Sequence, residues 1–404
     1  MAVPEGTDEK PVREFSTFTG DLERLAEWLI SCGVTTVAME STGVYWIPVF
    51  EILESHGLEV KLVNARHVKN VPGRKSDVLD CQWLQQLHTY GLLRGAFRPV
   101  EQVCTLRAYV RQRAMLVRCA SSYIQRMQKA LSQMNLQLHN VVTDITGVTG
   151  MRIIKGILNG ERNPNALAAM RNHNCKNDKA TIARSLQGSY RPEHLFSLRQ
   201  ALELYEFHLA KIADCDRQIL EQLKSFANGT PPTDVEEALQ RMSGVDLTRI
   251  DGIDTNTALK VLAEIGTDMS RWKSEKHFAS WLGLSPGARI SGGKVLGSAT
   301  KPVANKAAIA LRMAAYTLFK SKSALGAYIR RQRSRLGAPK AITATAHKLA
   351  RLIYCLLKYG TEYVDAGQEY YEQRYRSRVT QNLKRKAQEL GFELVSLQEN
   401  TAST

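Results

Sequence analysis

The sequence predicts a mixed architecture, an α/β domain at the N-terminus followed by an all-α remainder. Three observations carry this. Over residues 13–91, strand-like β-branched runs alternate with amphipathic helical runs, the pattern of a parallel sheet with covered faces. Beyond residue 98, apolar residues recur every seven positions in two long stretches, the signature of paired long helices. The last third is dominated by helical periodicity, interrupted by one Gly-rich basic segment at 285–306.

In order, "VREFSTF" reads as a short strand and "DLERLAEWLISCG" as a helix that Asp21 can cap and Gly33 stops. "VTTVAME" is a strand ending on Glu40, "VYWIPVFEILESHG" an amphipathic helix ended by Gly57, and "LEVKLVN" the next strand. A basic loop, "NARHVKNVPGRKSD", leads to a helix that begins near Asp77 and runs through "VLDCQWLQQLHTYGLL". Residues 1–98 make the first domain.

Residues 99–228 make the second region. Val103, Val110, Val117, Ile124 and Leu131 form one seam, with Leu106, Ala120, Met127 and Met134 in the other and Arg113 the one polar break. Later, Leu198, Tyr205, Ile212, Ile219 and Phe226 form a seam beside Leu202, Leu209 and Leu223, broken by Asp216. The opposite charges predict an antiparallel coiled coil with Arg113 near Asp216; the alternative is that each reaches solvent by itself. Residues 140–194 between them read as a small helical insert. After the linker "NGTPPTDVEE" comes a helical C-terminal domain, 238–365, opening with the helix–Gly turn–helix "LTRIDGIDTNTALKVLAEIG", and then a basic helical tail, 366–404.

Composition narrows the function. Lys and Arg outnumber Asp and Glu by 55 to 39, a net +16, which favours a polyanionic partner. The seven cysteines include no CxxC pair, which argues against a disulfide framework or zinc ribbon and for a reducing compartment. There is no apolar run of membrane-spanning length and no hydrophobic leader, so the expectation is a cytoplasmic, nucleoid-associated chain without a membrane partner.

Four constellations could carry chemistry. Glu40 ends a strand, where open α/β sheets bind ligands. Asp77 and Asp80, three apart on one helix, share a face. Three convergent carboxylates repel unless a hard cation, Mg²⁺ or Mn²⁺, lies between them, and two such ions can stabilise a phosphodiester displacement. Helix capping accounts for Asp77 and Asp80 without any metal. In the loop 285–306, Gly287, Gly292, Gly293 and Gly297 let backbone amides approach phosphate, and Lys294, Lys301 and Lys306 add charge. Ser291 there is either a nucleophile or a turn residue. The turn at Gly252 can present amides to a phosphate or close an ordinary helical hairpin. Arg74 and Lys75 in the first basic loop, and Arg330, Arg331 and Arg333 near Tyr328, fit phosphate contact or a solvated face.

"VAMESTGVYWIPVFEILESHGLEVKLVNARHVKNVPGRKSDVLDCQWL", "RIDGIDTNTALKVLAEIG" and "FASWLGLSPGARISGGK", in this order, resemble one family across roughly residues 13–365. It is the DEDD-type insertion-sequence transposases, with Piv-type invertases and bridge-RNA-guided recombinases as relatives. The resemblance implies an RNase H/RuvC-like first domain, a coiled-coil middle that carries homo-oligomerisation, and a serine-bearing C-terminal domain with a helix-hairpin-helix-like element. It implies DNA as substrate, a structured guide RNA as partner in some members, and Mg²⁺ held by acids matched by Glu40, Asp77 and Asp80. Ser291 matches the serine that forms a covalent link to DNA. The family's first acid stands on a strand of a β-hairpin preceding residue 13, in a Gly-(Ile/Leu)-Asp-Val setting. No residue here matches it, Asp8 lying in a turn instead, so the expectation is an incomplete first domain with an exposed sheet edge. Two other readings are an inactive derivative that only binds nucleic acid or oligomerises, and a metal-dependent nuclease that leaves Ser291 unused.

Overall fold

The computed structural model describes residues 1–41, 43–64, 77–93, 95–226, 231–287, 289–300, 305–360 and 365–395, the side chains of Asp77, Arg289 and Val295 excepted. It is mixed α/β with a large helical part, and the chain divides into two compact units, 1–98 and 99–404.

The first unit holds α1 (Thr19–Ser31), β1 (Thr36–Glu40), α2 (Trp46–Ser55), β2 (Glu59–Val63) and α3 (Asp77–Thr89). β1 and β2 pair in parallel from Thr36↔Glu59 to Glu40↔Val63, with α2 as the crossover. Leu22, Leu25, Ala26 and Leu29 on one stripe of α1 pack with Val37, Leu53 and Leu58 into the core, as an amphipathic helix on a sheet must. Two local readings need correction. "VREFSTF" is not a strand; Val12 alone makes an isolated bridge, to Ala2. Asp21 is not the cap of α1; Phe18 is, and Asp21 sits in the first turn bonded to Arg24, where a carboxylate favours the helix dipole.

In the second unit α4 (Glu101–Gln133) and α9 (Pro192–Lys224) each run 33 residues. Gln222 bonds the Gln102 carbonyl, Asp216 meets Arg113, and His208 stacks with Tyr123, so the helices are antiparallel. Arg113 Nε donates to Asp216 Oδ1 at 2.5 Å. The seams are fully buried at both ends, at Val103, Leu106, Leu131, Leu198 and Leu223, but Val117 and Leu209 in the middle are 39% and 44% exposed. The ends are covered because other parts of the chain pack there. At one end four short helices, α5 (Leu138–Val141), α6 (Val148–Leu158), α7 (Pro164–Ala169) and α8 (Lys179–Ser185), close a core of Ile153, Ile154, Leu167, Ile182 and Leu186 over the helix tips.

At the other end lies the C-terminal region: α10 (Val235–Ser243), α11 (Thr255–Ile265), α12 (Glu275–Trp281), a hairpin of β3 (Arg289–Ser291) and β4 (Lys294–Gly297), then α13 (Lys306–Thr317), α14 (Ala324–Leu336), α15 (Ala338–Tyr359) and α16 (Gly367–Glu389). α4 is clamped to α11 by Glu264. Arg111 Nε and Nη2 both donate to its carboxylate at 2.8 Å, and Arg107 donates to the Ala263 and Glu264 carbonyls at 3.1 and 2.6 Å. Cations at the C-terminal carbonyls of a helix meet both unpaired acceptors and the negative dipole end. Ahead of α11 the expected first helix of the hairpin is only a single 3₁₀ turn, Leu247–Arg249. Asp246 caps that turn, and Asp254 caps α11.

Glu264 is 8% exposed, so Glu264→Ala leaves the Arg111 guanidinium without its acceptor, Arg107 keeping its carbonyls, and should cost about 3 kcal/mol in chemical denaturation. Arg113 and Asp216 are partly exposed, so Arg113→Asp or Asp216→Arg alone should cost under about 1 kcal/mol and the double swap should recover it; a double-mutant cycle with zero coupling would show the pair contributes nothing.

Candidate active site and nucleic-acid contacts

Glu40 and Asp80 belong to the first unit, and one interaction sets their relation. Thr36 Oγ1, at the start of β1, is 2.9 Å from His88 Nε2, near the end of α3. α3 therefore runs back along β1. From Thr36 to Glu40 a strand advances about 13 Å; from His88 back to Asp80 a helix covers about 12 Å. Ala38 and Cys81, further along each element, line one shared cavity. Glu40 thus ends β1 and Asp80 lies in the first turn of α3, each at the end of its element away from the Thr36–His88 contact. Asp77 is the first residue of α3, and its side chain lies outside the described residues.

The carboxylates are of the chemistry that Mg²⁺ or Mn²⁺ takes, hard oxygens, Glu40 at a strand end and Asp80 in the first turn of a helix. Among the described residues no group of three or more metal-ligating side chains forms. Among those residues β1 pairs only with β2. Its other edge borders a cavity of about 380 Å³, lined by Met1–Pro4 on one side and by Leu84, Gln85 and His88 of α3 on another.

Asp8 has a structural role. It accepts from Trp28 Nε1 at 2.9 Å, from the Lys10 amide at 2.7 Å and from Arg13 at 2.7 Å. These donors, Trp28 foremost, hold its carboxyl down at about 2. It braces the N-terminal turn against α1.

In the second unit, Ser291 stands at the end of β3, directly opposite Lys294 of β4. The expected Gly-rich loop is here a tight β-hairpin. Gly292 and Gly293 have φ of 54° and 75°, the two left-handed positions of a type I′ turn that glycine takes without strain. Ser291, Lys294, Ile290 and Leu296 are all exposed, and below them Pro286 bridges Thr300. The Ser291 hydroxyl makes no hydrogen bond to another described residue. A hydroxyl presented on a rigid turn opposite an ammonium can approach a phosphodiester without first breaking an internal bond.

The other basic candidates divide. Lys306 begins α13, exposed, and the partial burial of its stem together with Arg111 and Arg118 pushes its pKa down; cations crowd there. Gly252 has φ of 84°, and a Cβ on it would come within 3.0 Å of the Ala314 carbonyl and Leu318. Glycine there permits close packing on α13, while the Ile253 amide is taken by the Ile250 carbonyl. Arg330 is committed to the Phe319 and Ser321 carbonyls and to Gln368. Arg331 stacks on Tyr375, its carbon 3.4 Å from the ring centroid. Arg333 is exposed, over Phe319. Arg74, Lys75 and Lys301 lie outside the described residues. The tyrosine ladder around Arg331 was missed in the sequence; Tyr371 and Tyr375, four apart, were the available signal.

Residues 5–136 match a family model described as a transposase, the DEDD type of IS110 elements, and residues 246–330 match one described as a transposase of the IS116/IS110/IS902 family. The chain belongs to the IS110/IS116 transposase family. The first match covers the β1–α3 layer with Glu40, Asp77 and Asp80, and the second covers the Ser291 hairpin, so both candidate centres lie on the family's own segments. Within this transposase family, the insert and α16 fall outside both matched segments. No curated protein matches the chain. Among the described residues no helix is long and apolar enough to cross a membrane.

The His88 link gives a pH dependence. Burial, aided by Lys61, lowers the His88 pKa below its ordinary 6.5. The unfolded chain then takes up a proton before the folded one does. The contribution is present above pH 6.5 and is lost as pH falls through the lower folded value. Stability of the wild type should fall from about pH 6.5 downward, and His88→Gln should flatten that part of the profile in denaturation curves taken across pH.

Proposed function

We propose that this chain is an insertion-sequence transposase that cuts and rejoins DNA through Ser291, assisted by Glu40, Asp77 and Asp80. The observation that carries the reading is the Ser291 hydroxyl, exposed and without a partner among the described residues, on a glycine-built turn opposite Lys294. The first domain is of RNase H/RuvC type by this reading, its acids at the strand end where that chemistry belongs. When bound, Mg²⁺ or Mn²⁺ would supply charge neutralisation at the phosphate and lower the cost of deprotonating the attacking oxygen.

Ser291 Oγ attacks phosphorus, its proton passes to a base, and the bond to one deoxyribose oxygen breaks, that oxygen taking a proton. The product is a serine–DNA phosphodiester and a free sugar hydroxyl. Attack by a different strand's hydroxyl reverses these steps, joins the new strand and restores Ser291. Lys294 offers its ammonium to the phosphate, and a cation there favours the extra negative charge of the transition state. Glu40, Asp77 and Asp80 belong to the other unit and would hold the metal. The half-exposed middle of the long helix pair, at Val117 and Leu209, supports self-association through that region.

Wild-type protein incubated with its element's end DNA and Mg²⁺ or Mn²⁺ should give a protein–DNA adduct stable to denaturation. Ser291→Ala should reduce it by at least about 10³-fold, as loss of a nucleophile does. An adduct that persists in Ser291→Ala would remove the serine from the chemistry, and none from wild type would leave a protein that only binds.

A further inference from the structure

α16 buries no residue fully, yet it is firmly held. Arg330 donates to Gln368 at 2.7 Å. Tyr371 meets Tyr328 edge-on with ring centroids 6.2 Å apart. Arg331 lies over Tyr375, and the Lys348 ammonium lies 4.7 Å from the Tyr328 centroid. Tyr371, Tyr375 and Val379, spaced at i, i+4 and i+8, form the stripe of α16 turned to its neighbours, and these residues are half-buried. The rest of the helix is mostly exposed.

Its charges differ from those on α9. On α9, Lys211 and Arg217 pair with Asp214, and Lys224 pairs with Glu221. On α16, among the described residues, Arg374, Arg376, Arg378, Lys384 and Lys386 have no salt bridge, and Arg385 has only Glu389 at 3.9 Å. Arg333 and Arg335 of α14 add two more cations without a carboxylate among those residues. Arg374, Arg378 and Arg385 sit at i, i+4 and i+11, within about 40° of one another around the axis and about 16 Å apart end to end. Gln381 lies between them on the same line. Lys348 behind this stripe has its pKa lowered by burial and then by Arg351 and Arg374, a concentration of positive charge.

We propose that α16 lies along the phosphate backbone of double-stranded DNA, contacting it through Arg374, Arg378 and Arg385 without reading sequence. Charge complementarity selects a polyanion. Tyr328, Tyr371 and Tyr375 already face cations, Lys348, Arg331 and, over Tyr375 at 5.4 Å, Arg378 itself, which disfavours the base stacking that single strands require. The stacked tyrosines instead hold the helix straight and fix where its arginines point, so binding does not have to order them first. The choice of DNA rests on the transposase reading; the site lies outside both family-matched segments and is separate from Ser291.

The test is binding of the full chain to a fluorescent duplex of arbitrary sequence, about three helical turns long, titrated at several salt concentrations. A phosphate contact contributes about 0.9 to the slope of log affinity against log salt. Arg374→Gln/Arg378→Gln/Arg385→Gln should lower that slope by about 2 to 3 and weaken binding more than about tenfold near 0.1 M salt. The triple Lys variant should restore most of the slope, because charge is what acts. Binding is read on a duplex without the element's end sequence and without added metal, so a failed adduct assay and a failed binding assay remain separable. Unchanged slope and affinity in the Gln variant, with its helical circular dichroism and Tm intact, would overturn the proposal. So would a loss confined to a hairpin RNA or to anionic vesicles, with duplex binding untouched.

Discussion

The second unit depends on the carboxylate of Glu264. It closes the end of α11, accepts both guanidinium bonds of Arg111, and sits where Arg107 also reaches the last carbonyls of the same helix. A carboxylate 8% exposed is costly to bury unless its charge and lone pairs are matched. Here they are matched by two arginines one turn apart on α4. The base of a 33-residue helix is thereby locked to the domain that carries the Ser291 hairpin.

The two candidate centres are built on opposite principles. Glu40 and Asp80 stand on a strand and a helix that Thr36 and His88 tie together. Their position is set by regular elements, which suits a site needing fixed donors. Ser291 is set beside a tight glycine turn, exposed at the end of β3. Basic residues likewise serve two ends. Arg330 and Arg331 tie helices together through carbonyls and tyrosine rings, while Arg374, Arg378 and Arg385 face solvent. A charge run thus mixes structural braces with surface cations, and sequence spacing alone does not sort them.

Much of the architecture was legible in the sequence because it rests on periodicity. The heptads marked both long helices and even the meeting of Arg113 with Asp216, since each apolar seam had one polar break and antiparallel pairing brings the breaks together. The β1–α2–β2 run was legible because its apolar runs and glycine stops are local. What failed was local signal without tertiary support. "VREFSTF" has strand propensity, but a strand needs a partner, and only Val12 finds one. "LTRI" looked helical, yet Asp246 and Asp254 both take capping positions and leave room for one 3₁₀ turn. The hairpin at Ser291 was signalled by the adjacent Gly292 and Gly293, which composition alone made into a loop.

By itself the sequence determined the long helices and the β1–α2–β2 run, which residue types are available for phosphate and metal chemistry, and that the chain is strongly cationic. These rest on local propensity, period and charge, properties that need no folded neighbours. Only the tertiary structure decided what Asp8 braces, that Thr36 of β1 meets His88 of α3, and which arginines serve as braces. Each of those depends on partners distant in the chain: Trp28 for Asp8, His88 for Thr36 and Gln368 for Arg330. Side-chain hydrogen bonds at such range are set by how whole elements pack.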